Sequence, residues 1–344
     1  MQKLRSIQVL RAVAACAVVV LHTVPNVGAS VGRAGYGAAG VDLFFVISGF
    51  IMANVSQGRT PGEFIHDRLW RIYPLWWVGV LPWLFWLPRG GTFIVSSLTL
   101  WPIYAGGYYV PVLKVGWTLS FELLFYIGMT IAIATRGRVP LAFYALFLLG
   151  ALTTASPLLH FLGSPMALEF LMGLAIARLP RRTTFALLIP VGLALFSMTS
   201  AGVGDTESTL GPRWALWRAI EWGVPAALVL WGSLSLEPLF SHRLFNGPVA
   251  IGDASYSVYL FHPAVAYGLN FIWPVRLFLA VATGWTMHLI VERRILAMRK
   301  QWPSIRLRPQ VKPTGNYILD VLKRKAYLSF LRGKDDEPNQ PDLP

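Results

Sequence analysis

Hydrophobic positions in this chain come in long blocks, not in alternation and not at a simple amphipathic spacing. Apolar runs of close to 20 residues recur, and arginine gathers in the short stretches between them. A run of that length is what a helix needs to cross the hydrocarbon of a bilayer. The pattern predicts spans at about 7–25, 38–56, 73–88, 117–135, 139–158, 162–178, 183–200, 219–236, 250–270 and 275–293. The third and sixth are short, and no internal repeat stands out. The expected fold is all-α, a polytopic integral membrane helix bundle of about ten transmembrane helices. Residues 1–298 form the membrane domain and 299–344 a tail.

Composition supports this. Of 344 residues, 55% are hydrophobic and 13% charged, against about 25% charged in a soluble domain. The net charge of +14 would suit nucleic acid if it formed one patch, but the basic residues lie between the apolar runs and in the tail. That is a topology signal, and no nucleic-acid partner is expected. With the N-terminus in the cytoplasm, Lys3, Arg5, Arg59, Arg68, Arg71, Arg136, Arg138, Arg178, Arg181, Arg182 and Arg243 fall inside, while Arg33, Arg89, Lys114 and Arg213 fall outside. Both termini are therefore expected in the cytoplasm of a multi-pass protein of a bacterial inner (plasma) membrane. In the tail, "YILDVLKRKAYLSFL" reads either as a basic amphipathic helix on the anionic leaflet or as a partly ordered basic segment. The acidic end, "GKDDEPNQPDLP", reads as disordered. The first run has Lys3 and Arg5 ahead of it, as a signal peptide would, but it is long enough to span and holds two ionisable residues, so it reads as a retained helix. The single Cys16 excludes an internal disulfide and a cysteine-rich metal site and reads as inert packing.

Ionisable residues inside the runs carry the chemistry, because each is costly in hydrocarbon and marks a functional site by default. Arg11 and His22 are eleven residues apart, about 1100° on a helix and within about 20° of three turns. They share one face at opposite depths, about 16 Å apart along the axis, with Ala15 and Val18 between them. Asp42, in "GVDLFFVISGFI", enters at about the depth of His22; it is a candidate to orient or charge His22, or else a helix-start carboxylate favoured by the dipole. Glu122, in "WTLSFE", is a second candidate for that role, with an ion pair to an arginine as the structural reading. Ser255, Tyr259 and His262 lie at i, i+4 and i+7 on one face, and His262 reaches the outer half; a satisfied core histidine is the plain alternative. Arg68 and Arg71, at i and i+3 before the third span, are a phosphate clamp or topogenic charge.

Two zones result. Arg11, Arg68 and Arg71 form a basic zone at the cytoplasmic side, and His22, Asp42, Glu122 and His262 an acid–base zone nearer the outside, joined along the first helix. That geometry suits an extended donor with phosphates at one end and a reactive group at the other, the shape of an acyl-coenzyme A.

At these residues the chain resembles the membrane acyltransferase-3 family over about residues 4–293. The resemblance rests on the Arg-x10-His of "RAVAACAVVVLH", on "GVDLFFVISGFI" with Asp42 and Ser48, on the Arg-x-x-Arg of "RLWR", on "WTLSFE" with Trp117 and Glu122, and on "SYSVYLFHP" with Ser255, Tyr256, Tyr259 and His262. The opening "LRSIQVLRAVAA" most resembles the exopolysaccharide-production O-acetyltransferase branch. The resemblance implies O-acylation, usually O-acetylation, of an extracytoplasmic glycan with cytoplasmic acetyl-CoA as donor; no metal is expected. It also implies that the Arg-x10-His and Arg-x-x-Arg pairs are needed for activity. On this reading His22 is the general base, Asp42 or Glu122 fixes its tautomer, Arg11, Arg68 and Arg71 hold the donor phosphates, and Trp117, Ser255, Tyr259 and His262 line the acceptor side. A variant route passes through acetyl-His22. The competing expectations are a transporter or flippase for a lipid-linked sugar and an acyltransferase for a non-glycan acceptor.

Overall fold

A computed structural model describes residues 3–24, 37–86, 90–104, 107–108, 110–137, 140–199 and 211–299. The tail expected from residue 300 onward lies outside the described residues. The helices are α1 (Arg5–Thr23), α2 (Ala39–Val55), α3 (Pro61–Trp86), α4 (Gly91–Thr99), α5 (Gly116–Ala134), α6 (Pro140–Thr153), α7 (Pro157–Leu162), α8 (Ala167–Ile176), α9 (Leu188–Met198), α10 (Pro212–Arg218), α11 (Val224–Ser235), α12 (Asn246–Asp253), α13 (Ser255–Gly268), α14 (Trp273–Met287) and α15 (Arg293–Arg299). A two-residue hairpin, β1 (Ile103–Tyr104) and β2 (Gly107–Tyr108), pairs Ile103 with Tyr108. A helix lies within each of the ten expected runs. Four stretches are long and apolar enough by themselves to cross a membrane: Arg5–Thr23, Gly116–Ala134, Pro157–Ile176 and Trp273–Arg299. Large apolar side chains such as Phe85, Met198 and Phe278 remain exposed on the outside, as the surface of a protein solvated by lipid requires.

Several boundaries differ from the sequence reading, each for a local reason. The third helix begins twelve residues earlier than expected, at Pro61. Its start is a reciprocal cap: Glu63 N–H donates to Thr60 Oγ1 (3.2 Å) and Thr60 N–H to the Glu63 carboxylate (3.0 Å), with proline at the first helical position. Arg68 and Arg71 are therefore inside a helix, not in a loop before one. The helix over the sixth run is interrupted at 163–166, between α7 and α8, and the last run continues through a π turn, His288–Glu292, into α15. A second π turn, Ala219–Gly223, follows Arg218.

Close backbone approach locks the centre. A Cβ on Gly40 would overlap the Ala14 carbonyl of α1, and one on Gly252 would overlap the Gln8 carbonyl. The α2–α8 crossing uses Gly49 against the Phe170 carbonyl and Gly173 against the Val46 carbonyl. Small residues at crossings let apolar helices gain dispersion contact where no hydrophobic driving force acts between them. The start of α1 is capped from a distance, its Arg5 and Ser6 N–H groups donating to Glu237 at 2.5 and 3.1 Å. With Gly252 beside Gln8 at one end and His262 beside His22 at the other, α12 and α13 run parallel to α1. A core of Trp76, Phe64, Tyr126, Phe45 and Phe170 packs α3, α5 and α8 onto α2.

Candidate active site

His22 ends α1, one turn past Val18. Its Nδ1 lies 2.9 Å from the Val18 carbonyl oxygen and 3.1 Å from Nε2 of His262. The two rings are 4.9 Å apart between centroids and inclined by 46°. His262 is fully buried, and its Nδ1 lies 2.8 Å from the Tyr259 carbonyl oxygen. His22 is half-buried, and no described residue bonds its Nε2. Among the described residues the pair therefore has one unbonded imidazole edge, His22 Nε2, with a second imidazole behind it.

The structure does not bring Asp42 to His22. Its carboxylate takes two hydrogen bonds from Arg218, Nε at 2.9 Å and Nη2 at 2.8 Å, and the same Nη2 also donates to the Ala38 carbonyl at 3.0 Å. Arg218 lies between two indoles, 4.8 Å from the Trp222 centroid and 5.9 Å from that of Trp117. Glu169, fully buried, completes this cluster within electrostatic reach of both partners. Neither Arg218 nor Glu169 was singled out from sequence. Both are charges within or beside apolar runs, "RWALWRAIEWG" and "MALEFLMGLAI", which is the signal that finds such residues.

Glu122 goes elsewhere as well. It accepts from Ser48 Oγ at 3.3 Å and from Tyr126 Oη, a turn further along α5. Ser48 lies six residues beyond Asp42, about 9 Å deeper along α2, and Glu122 is within electrostatic reach of Arg11 and Arg71. It belongs to the basic zone. The acid–base zone expected to hold four residues thus contains two, His22 and His262, while the two carboxylates face arginines. The physical reason is the cost of an unpaired charge in an apolar interior: a guanidinium is the better partner for a carboxylate there.

The three arginines do converge. Arg11 and Arg71 are within electrostatic reach of each other and of Glu122 and Glu292, and Arg68 is within reach of Arg71 and Arg299. Arg68 stacks 5.9 Å from Phe64 and 6.0 Å from Tyr126, and its buried Nε has no hydrogen-bond partner among the described residues. Glu292 is held by Ser257 and His288, each at 2.7 Å. Asp67 is shared by Arg59 and by Arg299, whose Nη2 lies 2.6 Å away. Five guanidiniums here face the carboxylates of Glu122, Glu292, Asp67 and Asp253, the last also paired with Lys3, so among the described residues the zone holds spare positive charge and an open donor, the requirement for binding an anion.

The acceptor-side candidates divide. Tyr259 Oη bonds the Val115 carbonyl (3.0 Å) and Thr118 Oγ1 (2.8 Å), tying α13 to the start of α5 beside the half-buried Trp117. Ser255 lies one turn beyond Gly252, at the Arg11 end of α13. Its buried Oγ has no partner among the described residues. Tyr256 Oη donates to the Ile72 carbonyl at 2.9 Å, next to Arg71. Among the described residues no three metal-ligating side chains come together.

The model of the acyltransferase domain family Acyl_transf_3 matches residues 4–291. The chain belongs to the acyltransferase-3 family. This acyltransferase is also similar to the exopolysaccharide production protein ExoZ of Rhizobium meliloti (strain 1021), with 34% identity over 306 aligned positions, covering 76% of this chain and 90% of the relative. No solved structure matches it. Family membership removes the ground for the transporter expectation.

Proposed function

We propose that this acyltransferase is a glycan O-acetyltransferase, moving an acetyl group from cytoplasmic acetyl-CoA to a sugar hydroxyl of an exopolysaccharide or other surface glycan. The observation that carries the reading is the arrangement along α1: Arg11 among spare arginines at one end, and at the other His22, whose Nε2 no described residue bonds. In the proposed topology the ten helical runs all cross a bacterial inner membrane with both termini in the cytoplasm. The positive-inside pattern supports this, and it puts the arginines at the donor side.

In the mechanism, Arg11, Arg68 and Arg71 hold the coenzyme phosphates, with the Ser255 hydroxyl, unpartnered among the described residues, available to the amides of the pantetheine arm; Ala15 and Val18, expected to leave room for that arm, are buried against neighbouring helices. His22 Nε2 takes the proton of the sugar hydroxyl. The hydroxyl oxygen attacks the thioester carbonyl, the C–O bond forms, and the C–S bond breaks with its electron pair leaving on sulfur. The proton then passes from His22 to that sulfur, and coenzyme A departs as the thiol. Trp117 and Tyr259 frame the acceptor side. Asp42 contributes by fixing Arg218 against Trp117. In the variant route His22 Nε2 itself carries the acetyl group between donor and sugar, and incubation with acetyl-CoA but no acceptor would trap acetyl-His22.

The deciding experiment compares acetylation of the surface glycan in a deletion strain and a His22→Ala strain. Loss of acetylation in both is expected. Unchanged acetylation in both would sink the glycan assignment, and purified protein that neither binds nor consumes acetyl-CoA would sink the donor.

A further inference from the structure

The histidine pair has a direction. Nδ1 of His22 lies 2.9 Å from the Val18 carbonyl oxygen, and Nδ1 of His262 lies 2.8 Å from that of Tyr259. A carbonyl oxygen can only accept, so both Nδ1 atoms carry hydrogens; a lone pair at either position would face another lone pair at contact distance. His262 is fully buried, and no described carboxylate bonds it. In its neutral ring, therefore, Nε2 holds the lone pair, and the 3.1 Å contact is the second branch of a shared hydrogen bond, His22 Nδ1–H donating both to the Val18 carbonyl and to His262 Nε2. By the same count the lone pair of neutral His22 sits on Nε2, the atom no described residue bonds.

We propose that His262 is the positioning residue of His22, occupying the place a carboxylate holds in a hydrolase triad and serving as the second station of a two-imidazole proton relay. This rests on His22 being the general base. When Nε2 of His22 takes the hydroxyl proton, its Nδ1 proton shifts to Nε2 of His262. The positive charge then lies on His262, whose Nδ1–H remains bonded to the Tyr259 carbonyl. The reverse shift restores His22 as the acid that protonates the departing sulfur. No net charge is buried at rest, which is the gain over a carboxylate in an apolar interior. The Val18 carbonyl already accepts within the helix, so it orients the ring without being able to take the proton. His262 can do both.

Two measurements test this on the full-length protein in nanodiscs. The first is 15N solid-state NMR of the histidine rings, with His22 and His262 identified by loss of signal in His22→Ala and His262→Gln. We expect a protonated Nδ1 and an unprotonated Nε2 on His262 at rest; a protonated Nε2 on His262 would overturn the proposal whatever the activity. The second is steady-state kinetics with acetyl-CoA. His262→Leu should lower kcat about 100-fold with the donor KM nearly unchanged, and His262→Gln, whose Oε1 replaces the accepting nitrogen, should recover at least about tenfold of that loss. Full kcat in His262→Leu would refute both roles, His262→Gln as slow as His262→Leu would refute the positioning role, and His262→Gln at full wild-type kcat would refute the relay, because an amide oxygen cannot take the proton. If His262→Leu does not fold, partial activity in His262→Gln still supports the proposal and its absence in folded protein overturns it. A wild-type protein inactive on every glycan would defeat the proposed function, yet the NMR result would still report on the pair.

Discussion

The cluster of Asp42, Arg218 and Glu169 makes a quantitative prediction. Asp42 and Glu169 are fully buried and Arg218 is 9% exposed. One guanidinium balances one carboxylate, and the bidentate bonds at 2.8 and 2.9 Å assign it to Asp42. Glu169, with no hydrogen-bond partner of normal geometry for either oxygen among the described residues, must then keep its proton, since two ionised carboxylates would leave a net buried charge. Glu169→Gln, which mimics a neutral carboxyl, should cost less than about 1 kcal/mol. Breaking a buried pair from one side costs about 3–5 kcal/mol, but Asp42→Asn should cost only about half of that, because Glu169 can ionise in its place. The double variant removes both and should cost the full amount, giving a coupling of about 0.5–2.5 kcal/mol. Arg218→Leu has no substitute cation and should match the double variant. Thermal and denaturant unfolding in one detergent would measure all four. Additive costs, or Glu169→Gln as damaging as Asp42→Asn, would refute the shared-counterion argument. Kinetics on the folded Asp42→Asn protein separates this from the role expected from sequence: a kcat loss of about 100-fold or more with stability intact would return Asp42 to the reaction itself.

Arg68→Lys and Arg71→Lys should each raise the donor KM about tenfold with a smaller change in kcat, because an ammonium cannot reproduce the two-pronged hold on phosphate; a titration of acetyl-CoA measures it, and unchanged KM in both would place the phosphates elsewhere. Gly252→Leu should push α12 off the Gln8 carbonyl and part His262 from His22, giving loss of activity and a lowered melting temperature, whereas Gly247→Ala, with no neighbour within 4 Å of its Cβ, should leave both unchanged. Thr60→Ala should cost about 1 kcal/mol through the lost cap at the start of α3, read as a shift in unfolding midpoint.

What the sequence showed well was periodic or costly. Blocks of apolar residues located a helix at each of the ten runs, and the eleven-residue interval put Arg11 and His22 on one face. What it concealed was pairing. Asp42 and Glu122 sit at depths that a hydropathy reading cannot separate by one turn, and their partners, Arg218 and the arginine zone, come from helices 176 residues away in one case. The cap that lengthens α3 was legible as "TPGE" but was outweighed by the polar residues after it, His66, Asp67, Arg68 and Arg71. Those residues read as a loop only until Asp67 is seen to be taken up by Arg59 and Arg299. The reach of the last helix to Arg299 depends on a π turn, which has no sequence signature.

The placement of charge follows from the medium. In an apolar interior an ionised group must have a partner, and the described carboxylates at depth meet this condition: Asp42 on Arg218, Glu122 beside Arg11 and Arg71, Glu292 on His288. The imidazole pair meets it differently, by being neutral and by having each Nδ1–H answered by a carbonyl of its own helix. Among these described groups, excess positive charge gathers at the Arg11 end. A donor bearing phosphates is therefore drawn to one end of α1 and an uncharged hydroxyl tolerated at the other, and the span between them is set by three turns of a helix that Gly40 and Gly252 hold against its neighbours. If that is the logic, lengthening α1 by one residue between Ala15 and Val18 turns His22 by about 100° away from His262 while leaving the arginines in place. Such a variant should still bind acetyl-CoA with near wild-type affinity and transfer nothing. Loss of binding in it would mean that the two ends are not independent, and would count against separate donor and acceptor zones.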